Sequence, residues 1–297
     1  LRALREVWAG KFGGAAPAAV TVPATGVTGT VSATAPLTAA VPYTQVAVLS
    51  DTLPALGVLL GEPGPEVRGY DTMEEVIAAA WDGRGTLALV PFDQLEPRLA
   101  VLALDGQNPL DNAAFYDAAR YPLIADVYAQ VDEAAADAPL ARKALDALPA
   151  GNRLPEHLTV IAMTGVTAMT RQMAAQMDRR GSDWPASVIG PRLSAADITA
   201  ISNEVPFVKG CEANLDPDNY NFCSKPEYMA ALADVGADII GLTGNHQNDF
   251  GRDNALKSLT IYRRAGLPVY GGGVNKEAAF APLIIEHNGN RLAFLGA

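Results

Sequence analysis

Apolar and polar positions change rhythm along the chain, and the change divides it in two. In the second half, LTVIAMTG (158–165), ADITAISNE (196–204) and ADIIGLTGNH (237–246) are near-continuous apolar runs, each ending on small or polar residues. Such runs predict strands buried on both faces of a parallel sheet. LPVYGGG (267–273) predicts a fourth strand, and two further strands meet at Asn288-Gly289, a hairpin signal. Between them, KPEYMAALADVG (225–236) and RDNALKSLTIYRRAG (252–266) carry helical spacing and stop at glycine.

The first half is less regular. LRALREVWAGKFG opens with an amphipathic pattern (Leu1, Leu4, Val7, Trp8) that breaks at Gly13-Gly14. Residues 14–42 are Ala, Val, Thr, Pro and Gly with almost no charge, which predicts extended, linker-like chain. TQVAVLS (44–50), TLALVPFDQL (86–95) and RLAVLALDG (98–106) predict strands, and YPLIADVYAQ (121–130) a strand or a helix start. MEEVIAAAWDG (73–83) predicts a helix capped by Asp71 or Thr72 with two acids in its first turn, and the Ala-rich 132–148 run predicts another. Strand and helix signals alternate in both halves, so the fold class is α/β.

Charge sharpens the division. The 297 residues carry a net charge of −11, but residues 1–156 hold ten basic against nineteen acidic side chains, and 157–297 hold twelve against fourteen. We therefore expect two domains, 1–150 and 157–297. The acidic balance argues against nucleic acid or an anionic membrane as a general partner. No apolar run reaches eighteen residues, so no transmembrane segment is expected in this chain. The chain opens on Leu1 with no signal-like segment after it and stops at Ala297 just past a strand. The expectation is two incomplete pieces of a longer secreted protein.

Cys211 and Cys223 are the only cysteines, twelve positions apart in a turn-rich stretch. They suit either a disulfide clamping a loop, and with it an oxidising compartment, or two free thiols of a reducing one. A disulfide there would stabilise by roughly 3 kcal/mol in the chain-entropy model. The spacing does not suit a zinc knuckle, which needs CxxC pairs.

Candidate chemistry gathers in the second half. In open parallel sheets ligands collect beyond the carboxyl ends of the strands, where Glu204, Asn245 and His246 fall. Carboxylate, imidazole and amide oxygen together suit Mn, Zn, Fe or Mg; a single His after a strand is more often a hydrogen-bonded structural residue. His157 and His287 read as surface residues. Gly271-Gly272-Gly273 lacks nucleotide-loop spacing and reads as a tight turn.

The run from ADIIGLTGNHQNDFG through the helix to VYGGGVNKEAAFAPLIIEHNGNRLAFLGA resembles the capsule-synthesis CapA (PGA_cap) family, whose block appears here as Gly244, Asn245, His246, Asp249 and Gly251. AADITAISNEVPF and VIAMTGVTAMTR resemble its upstream segments. The resemblance covers about 157–297. It implies a relative of the calcineurin-like metallophosphoesterases: a four-layer α/β sandwich with a dimetal site, present here as the incomplete C-terminal domain. It further implies a role in poly-γ-glutamate capsule synthesis or anchoring on the outer side of a bacterial cytoplasmic membrane. Glu204, Asn245 and His246 are then the expected ligands of a divalent metal. His246 and Asp249 are the expected catalytic residues, with Asp249 orienting His246 or capping the next helix. Arg171 and Asn203 are the expected contacts to an anionic polymer or phosphoester, in company with membrane-associated capsule machinery. Two positions depart from the pattern. Gly165-Val166 stands where the family has Gly-Asp, and Ser202-Asn203-Glu204 where it has Asn-Leu-Glu. The family's later His motifs lie beyond Ala297.

Two functions follow. One is a metal-dependent hydrolase of capsule metabolism. The other is a non-catalytic extracytoplasmic module that binds an anionic polymer or a small anion. The first half, through LREVWAGK, ALVPFDQLEPRLAVLALDG and YPLIADVY, is similar to phosphate-type periplasmic binding domains, which close two lobes over a ligand.

Overall fold

A computed structural model describes residues 1–10, 43–83 and 85–296. The linker-like stretch expected at 14–42 lies outside these. The described chain forms two compact units, one of residues 1–109 and 117–153, the other of residues 110–116 and 154–297. Both are α/β with parallel sheets. Among the described residues, no helix is long and apolar enough to cross a membrane.

In the first unit, helix α1 (Arg2–Trp8) precedes strand β1 (Gln45–Leu49), helix α2 (Leu53–Leu60), strand β2 (Val67–Tyr70), helix α3 (Met73–Asp82) and strand β3 (Thr86–Leu89). The strands pair in parallel in the order β2-β1-β3. Alternate residues of β1 serve opposite faces. Val46 and Val48 pack with Trp8 and Leu60; Ala47 and Leu49 pack with Val76 of α3. Thr72 caps α3 through a reciprocal box, accepting from the Glu75 amide at 3.3 Å while Glu75 accepts from the Thr72 amide at 3.0 Å.

Three sequence expectations fail in this unit. The strand expected over 86–95 ends at Leu89, and Phe92–Gln94 form a short 3-10 turn. Residues 98–106 form no strand beyond the isolated bridge Leu104–Gln107, and Leu102 is half exposed. Residues 121–130 form neither strand nor helix, with Val127 92% exposed. Neither segment pairs with the β2-β1-β3 sheet, whose order leaves β2 and β3 as its edges. Only Ala138–Asp146 of the Ala-rich run is helical, forming α4.

The second unit runs β4 (Ile161–Thr167), α5 (Arg171–Arg180), α6 (Ala186–Leu193), β5 (Ile198–Asn203), α7 (Met229–Asp234), β6 (Ile239–Gly241), α8 (Arg252–Arg264), β7 (Val269–Tyr270), α9 (Lys276–Phe280), β8 (Leu283–His287) and β9 (Asn290–Phe294). β4-β5-β6-β7 form a parallel sheet, and β8-β9 a separate antiparallel hairpin turning at Asn288-Gly289. One sheet face, through Ile201, Ile240 and Leu242, packs on Met177, Leu232 and Tyr262 from the helices. The opposite face, through Ile198, Ala200 and Ile239, packs on Tyr270 and Phe294. Covered on both faces, β5 and β6 need apolar side chains in both directions, hence their uninterrupted apolar runs.

Candidate functional site

All four strands of the second sheet run the same way, so their carboxyl ends share one edge. β4 arrives there with a shift in register between Met163 and Val166, a local bulge that re-aims its last residues. Val166, which pairs with Ser202, is 67% exposed and presents an isopropyl group. β5 delivers Glu204, whose amide donates to the Thr167 carbonyl at 3.4 Å. β6 continues through Leu242 and Thr243 into Gly244, Asn245 and His246.

Gly244 allows the two chain ends to meet. A Cβ built on it would fall 1.9 Å from the Glu204 Cβ and 2.9 Å from Glu204 Oε2. The Glu204 side chain therefore lies across Gly244, two residues before His246, and only glycine leaves room for it.

The imidazole is fixed from several sides. His246 Nδ1 lies 2.7 Å from Asp249 Oδ2, and the Asn245 amide nitrogen faces Nε2 at 3.4 Å. The network assigns a proton to Nδ1, donated to Asp249, and leaves the Nε2 lone pair to accept from the Asn245 amide. Asp249 Oδ2 also accepts from the Phe222 amide at 2.8 Å. The Phe222 ring meets the imidazole edge-on with centroids 4.5 Å apart. Both members of the pair are mostly buried, at 17% and 14% side-chain exposure.

Residues 160–297 match the family model described as bacterial capsule synthesis protein PGA_cap. Over these residues the chain is similar to the capsule-synthesis CapA family. It is similar to the capsule biosynthesis protein CapA of Bacillus anthracis, 26% identical over 150 residues. That match takes in 50% of this chain and 36% of the relative, so the chain spans little more than a third of the relative's length.

Within this unit the residues expected at the site separate into two groups. Asn245, His246 and Asp249 come together after β6, and Glu204 follows β5 at the same edge, packed against Gly244. Asn203 does not join them: it is fully buried. Its side-chain amide nitrogen donates to the Tyr262 hydroxyl at 2.5 Å, and its backbone carbonyl accepts from Gln247 Nε2 at 2.6 Å. It braces the end of β5 against α8 and the turn after His246. Burial raises the Tyr262 pKa further above the usual phenol range, so this hydroxyl stays protonated. Arg171 is also engaged internally, its guanidinium donating to the carbonyls of Pro217 at 3.4 Å and Asn219 at 2.5 Å.

The donor set does not fit a dimetal centre. Among the described residues no three His, Cys, Asp or Glu side chains gather where a metal ion could sit. β4 brings Val166 where a carboxylate is needed, and Asp249 is committed to His246 Nδ1 and the Phe222 amide. Glu204, His246 and the exposed amide of Asn245 remain as the outward-facing polar groups.

Phe222 and Gln247 are the site residues that sequence reasoning leaves out. Phe222 stands 24 positions before His246 in a loop closed by the Cys211–Cys223 disulfide, and no spacing rule links it to the imidazole. Its place directly before Cys223 is the one available signal.

Proposed function

We propose that this chain acts on the outer side of the cytoplasmic membrane on an anionic capsule polymer such as poly-γ-glutamate, as a hydrolase of its backbone amide. The observation that carries the reading is the His246–Asp249 pair: a carboxylate holds one imidazole nitrogen at 2.7 Å, and the other faces the exposed Asn245 amide at 3.4 Å at the sheet edge. That is the arrangement of an oriented general base. In the proposed step Nε2 of His246 takes a proton from a water as its oxygen adds to the amide carbonyl. The resulting imidazolium returns that proton to the departing nitrogen as the C–N bond breaks, leaving a carboxylic acid and an amine, and the acid's proton then passes to the amine to give carboxylate and ammonium. Asp249 keeps the imidazole in the required tautomer and supports its transient positive charge. Glu204, lying across Gly244, bounds the same edge and is suited to orient the water.

The similarity of residues 160–297 to the PGA_cap family supports the capsule context, and the disulfide supports an oxidising compartment. The parallel sheet with helices on one face and the β8-β9 hairpin on the other supports reading the unit as part of a metallophosphoesterase-like sandwich. The exposed Val166 favours a second reading, in which the same edge binds polymer without cleaving it. Incubating purified chain with poly-γ-glutamate and following polymer length separates the two. Cleavage that vanishes in His246→Gln while polymer binding persists supports the hydrolase; binding alone in the parent protein supports the module.

A further inference from the structure

Arg171 begins α5 with φ 50, a left-handed conformation uncommon for a residue with a Cβ. From there its guanidinium reaches a loop more than forty residues away. It donates to the Pro217 and Asn219 carbonyls and lies 4.9 Å over the ring of Phe222. That loop is closed at its base by the bridge between Phe207 and Ser224 and, just inside it, by the Cys211–Cys223 disulfide. The Ser224 hydroxyl donates to the Met169 carbonyl at 3.0 Å, tying the base to the chain that enters α5. Side-chain turns within the loop, where Asn214 Oδ1 accepts from the Asp216 amide and Asp216 Oδ1 from the Asp218 amide, fix its path. What the loop delivers is Phe222. Its amide holds the Asp249 carboxylate and its ring abuts His246.

We propose that Arg171 and the Cys211–Cys223 loop are positioning elements for His246. Arg171 and the disulfide hold the loop, the loop holds Phe222, and Phe222 holds Asp249 in the place where it selects the Nδ1–H tautomer. This inference rests on the reading of His246 as the proton-transfer group and assigns Arg171 to the protein's own loop instead of to an anionic substrate. A methionine at 171 keeps the length of the side chain but removes the planar donor fork that spans two carbonyls.

The test reads the imidazole directly. The chain has three histidines, so ¹⁵N-histidine labelling gives a short set of ring signals that report which nitrogen carries the proton. At alkaline pH, the oxidised protein is expected to show His246 as a single Nδ1–H form. In Arg171→Met, and separately in the Cys211→Ser/Cys223→Ser double variant, the same residue is expected to shift to the averaged signals of a mixed-tautomer ring. His287, whose Nδ1 lies 3.1 Å from the Thr159 hydroxyl in the hairpin region, serves as the folding reference and is expected to stay unchanged. An unaltered His246 signature in both variants overturns the proposal. So does simultaneous collapse of the His287 signal in both, since the loop would then determine the fold and not the imidazole. Because this readout needs no substrate, it is separable from the hydrolase reading, which fails instead if His246→Gln retains polymer cleavage.

Discussion

Asp249 Oδ2 lies 2.7 Å from His246 Nδ1 and accepts the Phe222 amide at 2.8 Å through the same oxygen. Two donors converge on one carboxylate oxygen, so the acid is placed by the backbone before it places the imidazole. Asp249→Asn preserves shape and removes the charge that favours the Nδ1–H form and its imidazolium. Polymer cleavage is expected to fall by roughly 10²- to 10⁴-fold, with little change in the unfolding midpoint. Rate assays beside thermal unfolding of the same preparation check both halves of this statement.

Gly244→Ala tests the crossing of the two strand ends. The added methyl group would lie 1.9 Å from the Glu204 Cβ, far inside contact distance. One chain end must move, at a cost of roughly 1–3 kcal/mol. Denaturant unfolding should show that loss, and cleavage should fall with it because Glu204 leaves its place beside His246. An alanine variant of wild-type stability contradicts the crossing.

The disulfide is expected to support the second unit as well as the site. Replacing both cysteines by serine should cost about 3 kcal/mol by the loop-closure argument. For a unit of this size that is a fall of about 10 °C in its unfolding midpoint. Calorimetry with and without reductant checks it: the parent protein should drop to the variant's value on reduction, and the variant should be indifferent.

Acid stability carries a signature of its own. The Lys225 ammonium, at 2.7 Å, and the Tyr228 hydroxyl, also at 2.7 Å, hydrogen-bond Asp178 and hold its pKa below the ordinary value of 3.8. A carboxylate depressed in the folded state stabilises fully above its unfolded value, and that contribution is lost as pH falls through the lower folded value. The parent protein should therefore lose stability below about pH 4, and Asp178→Asn should flatten that part of the profile. Unfolding midpoints measured from pH 5 down to pH 2 test the slope; identical slopes in the two proteins contradict the assignment.

How far the sequence discloses this arrangement depends on the range of the interactions. Ile198–Asn203 and Ile239–Gly241 are legible because burial on both faces demands apolar residues without interruption. The His246–Asp249 contact is legible because three residues separate the partners within one turn. In the first unit the apolar runs at 98–106 and 121–130 look like strands, yet nothing pairs with them, and pairing is a non-local property. Helix α2 hides behind Pro54 and Gly57, and β2 is only four residues with Gly69 inside it. Asn203 looks like a polar group at a strand end. Only the packing of Tyr262, 59 positions later, turns it inward. The tie between Arg171 and Phe222 depends on a loop path that the disulfide sets, and no local pattern contains it.

The hydrolase is tested by the rate at which purified protein shortens poly-γ-glutamate, compared with His246→Gln under the same oxidising conditions. Cleavage by the parent protein is expected, with a loss of roughly two orders of magnitude or more in the variant and polymer binding retained, if His246 is the proton-transfer group. Equal cleavage by both proteins, or none by the parent, contradicts it.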